Sequence, residues 1–115
     1  MISLLSIHWL LAVALWYIIN GILHDIAVIS KHASGYDRDL MRLLMDGHLL
    51  ILSGVLMLVS WLMLRQGITW GYVIGGIVTL GMIVYCAMIF PFLKSIFTLV
   101  ISIIVLLVCI AGIWR

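Results

Sequence analysis

Between Asn20 and His48 the chain holds three of its four histidines, all four of its carboxylates and three of its six Lys and Arg residues. Imidazole and carboxylate side chains bind protons and cations, so chemistry is sought here first. Asn20 and His24 are four residues apart, as are Arg42 and Asp46, and that spacing puts each pair on one helical face. If the two segments form a hairpin, His24 and Asp46 come to similar depths, with Asn20 deeper. The expected constellation is therefore Asn20, His24, Arg42 and Asp46. His24 and Asp46 would titrate or coordinate, Asn20 would orient the ligand, and Arg42 would neutralise Asp46.

A plainer reading competes with this one: the same groups form a polar clasp between two helices and snorkel to the headgroups. His48 falls on the opposite side of its helix from Asp46, so the two cannot serve one wall. A haem or divalent metal would take His24 and His48 as first ligands, but an isolated pair does not favour either cofactor. His8 lies toward the other end and cannot join them. The sequence has no H-x-x-x-H, G-x-S-x-G or C-x-x-C motif and no glutamate. An enzyme is not expected.

The elements that must carry these residues follow from composition. Of 115 residues, 67% are hydrophobic and only 9% charged, too little polar surface for a water-soluble sphere of this size. A bilayer span takes about 20 apolar residues, and the apolar runs divide into four, near residues 2–30, 38–64, 68–90 and 93–114. The expected fold is an all-α integral membrane protein, an up-down-up-down bundle of four transmembrane helices forming one domain over residues 1–115. The first run lacks the basic start and small-residue cleavage site of a signal peptide and reads as a retained helix.

Local signals set the boundaries. Asp37 suits the N-cap of the second helix, Gly67 its C-terminal cap, and Pro91 ends the third. The apolar run Leu49 to Leu64 is about 24 Å long, short of a hydrocarbon core about 30 Å thick, so Asp46 and His48 are drawn toward the bilayer. On the second helix Asp39, Arg42, Asp46, Ser53 and Ser60 share a sector expected to face the bundle. Gly67, Gly71 and Gly75 allow the third helix a close approach to a neighbour. Ser95, Thr98, Ser102, Cys109 and Gly112 form a small-residue stripe on the fourth, read as packing. Cys86 and Cys109 differ in depth and are not expected to form an internal disulfide.

Lys31, Arg38, Arg42 and Lys94 outnumber Arg65 and Arg115 on the other side. The first and third loops are expected in the cytoplasm, with both termini outside, in a bacterial inner membrane. Trp9, Trp61, Trp70 and Trp114 form the belt on the terminal side. The net charge of +2 gives no reason to expect nucleic acid. Partners are the lipid bilayer and a second copy or another membrane protein, with Lys31 and Arg38 as docking cations. The expected function is binding or passing a proton, cation or small polar ligand. The alternative is a non-catalytic assembly subunit.

Overall fold

The computed structural model describes residues 4–32, 35–90 and 96–114, with side chains from residue 7 onward. Four helices account for nearly all of them: α1 (Leu4–Lys31), α2 (Arg38–Arg65), α3 (Trp70–Ile89) and α4 (Ile96–Ile113). All four are long and apolar enough to cross a membrane. The third begins two residues later than expected because residues 66–69 are spent on the turn. Pro91, Lys94 and Ser95, which carry expectations of their own, lie outside the described residues.

The boundaries have local causes. Asp37 is extended and its Oδ1 accepts from the Leu40 amide at 2.9 Å, capping α2. At the other end Gly67 has φ +79°. There the Gly67 amide donates to the Leu64 carbonyl and the Ile68 amide to that of Met63. This doubled bond satisfies carbonyls that the helix end would otherwise leave bare, and it needs the left-handed residue that glycine supplies without strain. Gly67 thus belongs to the turn and not to the packing stripe.

Each helix touches the next in sequence, and α4 returns to α1. The α1–α2 seam is the tightest and rests on glycines outside the expected set. A Cβ on Gly21 would stand 2.7 Å from the Gly47 carbonyl oxygen, and one on Gly54 would stand 2.8 Å from that of Ala14. Main chain therefore lies against main chain along this seam. Residue numbers rise on one helix as they fall on the other. Gly71 faces the Ser60 carbonyl of α2 in the same way, at 2.7 Å. Gly75 is where all four helices meet: a Cβ there would stand 3.0 Å from Cys109 Sγ, 3.0 Å from Ser60 Oγ and 3.2 Å from Leu10 Cδ2.

The interior is partly polar, while the exterior is apolar. Tyr17, Ser60, Thr79 and Ser102 have no exposed surface. Ser60 Oγ donates across the α2–α3 seam to the Gly71 carbonyl, and Thr79 Oγ1 donates to that of Gly75 at 2.8 Å. The α1–α4 seam is narrow and closes on two aromatic donors. Trp16 Nε1 donates to Thr98 Oγ1 at 3.0 Å, and Tyr17 and Ser102 share a hydroxyl–hydroxyl bond. The small-residue stripe of α4 is therefore a row of acceptors for α1 as well as a packing face. Cys86 and Cys109 are both free and buried.

Helix lengths are unequal, and this positions the polar stretch. The 28 residues of α1 and of α2 make rods of about 42 Å at 1.5 Å per residue, whereas the 20 and 18 of α3 and α4 make about 30 and 27 Å. The Ser60–Gly71 bond levels the end of α2 with the start of α3. The excess falls at the opposite end, in the last turns of α1 and the first turns of α2, and the body is 53 Å long. Lys31, Arg38 and Arg42 sit on this projecting hairpin.

Candidate polar site at the hairpin end

Two helix termini meet here. α1 ends at Lys31 and α2 begins after Asp37, and His32 Nε2 reaches Asp37 Oδ1 at 3.0 Å across the intervening loop. The same carboxyl oxygen caps α2, so one acid both starts the helix and ties the loop down. His32 and Asp37 had been no part of the expected constellation.

One to two turns below, the expected residues part company. His24 Nε2 lies 3.0 Å from the Leu43 carbonyl oxygen. A carbonyl only accepts, so Nε2 carries the proton and His24 is fastened to the α2 backbone rather than to Asp46. Among the described residues no ion pair joins Arg42 to Asp46, and Arg42 is exposed. The physical reason is the direction of the seam: Gly47, Leu50 and Gly54 are the buried positions that face α1, which turns Asp46 toward α3. There Tyr85 of α3 lies near enough to interact electrostatically with the Asp46 carboxyl. Asn20 is half-buried on α1, and His48 is exposed.

Asp25, which is outside the expected constellation, occupies the most constrained position. Its carboxyl lies directly on Gly47, so that any side chain at Gly47 would collide with it. Asp25 Oδ1 is cut off from solvent and has no hydrogen-bond partner. An oxygen in that state is costly unless a proton or cation meets it. The available signal was the glycine directly after Asp46: a residue without a Cβ on a helix face that must accept a neighbour's carboxyl. Tyr85 carried no signal, because its place beside Asp46 depends on how α3 lies across α2.

Asp25, Asp46, His24 and Tyr85 thus come from three helices and collect at one end of the body. Among the described residues no three His, Cys, Asp or Glu side chains are grouped as a metal site. His24 and His48 do not converge, since one is held at the seam and the other is exposed on α2. No protein-family model matches the chain, and no significant match exists among curated proteins or solved structures.

Proposed function

We propose that the chain is an up-down-up-down bundle inserted in a bilayer, which binds a proton, a monovalent cation or a small cationic ligand at Asp25, with Asp46 and His24 beside it. Antiparallel pairing is supported by the contacts: His8 meets Trp61, Ala14 meets Gly54 and His24 meets Leu43 between α1 and α2, and Tyr72 meets Gly112 and Gly75 meets Cys109 between α3 and α4. Insertion is supported by Leu15, Ile19, Leu52, Ile77, Leu80 and Leu107, all large, apolar and exposed around an interior that holds Tyr17, Ser60, Thr79 and Ser102. That is the reverse of a water-soluble bundle. The excess of Lys and Arg on the hairpin side favours a cytoplasmic site.

The observation that carries the reading is the sequestered, unpartnered Oδ1 of Asp25. An ionisable group with an unsatisfied oxygen inside a membrane helix pair is a functional site by default. Binding is favoured over passage through one copy, because Leu10, Met57 and Val105 fill the centre with no exposure. The test is equilibrium binding of protons and alkali cations to vesicles containing the purified chain, read against empty vesicles, with Asp25→Asn and His24→Ala beside it. Binding that Asp25→Asn abolishes supports the site. Wild-type vesicles indistinguishable from empty ones, together with a variant as stable as wild type, refute it.

A second reading, an assembly subunit, is favoured by the projecting hairpin. Ile26, Ile29, Tyr36 and Met45 are exposed there beside Lys31 and Arg38. A second copy or another membrane protein would cover them. Crosslinking from Lys31 in native membranes that recovers only monomer would exclude this reading.

A further inference from the structure

At the other end of the seam a second cluster has no place in the proposed function. Trp61 Nε1 donates to His8 Nδ1 at 3.4 Å. An indole nitrogen can only donate, so His8 Nδ1 bears no proton and the ring's proton sits on Nε2. Arg65 lies over the same indole, its guanidinium carbon 5.0 Å from the ring centroid. Stacking takes up the flat face of the guanidinium and leaves its edge N–H groups for a planar acceptor. Among the described residues no carboxylate pairs with Arg65 or His8. One indole therefore presents two donors side by side, the His8 Nε2–H and the edge of Arg65.

An apolar groove lies one helical turn along α1 from His8. Ala12, one turn below His8 on the same side, lines a depression of 220 Å³ with Trp9, Val13, Trp16, Phe97 and Ile101. Trp16 and Phe97 meet edge to face at 4.8 Å and form its wall. On α1 its lining runs from Trp9 to Trp16, the two turns that follow His8. Donors for an oxyanion at one end and an acyl-sized apolar groove below them are the two halves of a phospholipid site.

We propose that His8 and Arg65, both held by Trp61, bind the phosphate of an anionic phospholipid whose acyl chain lies in the Trp9–Phe97 groove. The site is on the face opposite the Asp25 cluster and binds its lipid independently of it. It rests on the bilayer-spanning reading, which alkaline carbonate extraction tests separately. A chain extracted with peripheral proteins refutes the span, whereas one that stays in the membrane leaves this site to stand or fall alone.

The test uses the full chain in a neutral detergent, with bound molecules counted by native mass spectrometry during titration with phosphatidylglycerol, phosphatidylcholine or inorganic phosphate. Phosphatidylglycerol is expected to bind in preference to phosphatidylcholine. Arg65→Gln should weaken it about tenfold, the worth of one charge-assisted hydrogen bond. His8→Phe, which keeps an aromatic ring against Trp61, should weaken it about threefold to tenfold. Ala12→Phe fills the groove and should weaken the lipid while leaving inorganic phosphate unchanged. Equal binding of both lipids, with Arg65→Gln unaffected, overturns the headgroup site. Phosphate binding as tight as that of phosphatidylglycerol, with Ala12→Phe silent, shows a free-anion site and overturns the lipid assignment.

Discussion

The bond between Tyr17 and Ser102 makes the most demanding prediction, because its direction follows from its surroundings. Ser102 Oγ donates to the Thr98 carbonyl at 2.7 Å. A hydroxyl has one proton, so Tyr17 must be the donor in the bond between them. The two truncations then have unequal costs. Tyr17→Phe removes a donor from Ser102, which keeps its own donation to Thr98. The loss is one interhelical hydrogen bond, about 0.6 kcal/mol in membrane proteins. Ser102→Ala strands the Tyr17 hydroxyl, whose residue has no exposed surface. Leaving a buried donor bare costs about 1–3 kcal/mol, and alanine returns about 0.5 kcal/mol in helix propensity. Ser102→Ala should therefore cost about 1–2 kcal/mol and exceed Tyr17→Phe. In the double variant nothing is stranded, so its cost should fall below the sum of the two. Unfolding of the four proteins by SDS in mixed micelles, followed by circular dichroism, measures the cycle. The reverse order, or simple additivity, would refute the assignment of donor and acceptor.

Gly75→Ala brings a methyl within 3.2 Å of three other helices and should cost about 1–2 kcal/mol net of alanine's propensity. Gly81→Ala, with nothing within 4 Å, should be neutral or stabilise by up to about 1 kcal/mol in the same titration. Gly67→Ala keeps open space but must hold φ +79°, costing about 1–2 kcal/mol in SDS-induced unfolding. Asp37→Ala removes the α2 cap and should cost about 1 kcal/mol, with faster amide exchange in the first turn of α2. Gly47→Ala displaces the Asp25 carboxyl and should reduce cation or proton binding as Asp25→Asn does. Binding unchanged from wild type would dissociate the glycine from the site.

Four helices, their approximate limits and the concentration of ionisable groups at one end were all legible in the sequence, because each depends on local composition or periodicity. Asp37 and Gly67 could be read as caps for the same reason: a cap acts within four residues of itself. The small-residue stripe of α4 was visible too, but not its role as acceptor for Trp16 and Tyr17, since that requires knowing which helix lies across it. Tertiary packing decided the rest. Gly21, Gly47 and Gly54 draw α1 and α2 together so closely that the rotation of α2 follows from main-chain contact. That rotation turns Asp46 to Tyr85, leaves Arg42 outside and seats Asp25 on Gly47. A helical wheel gives angles within one helix but no zero for them, and the neighbour's backbone supplies that zero.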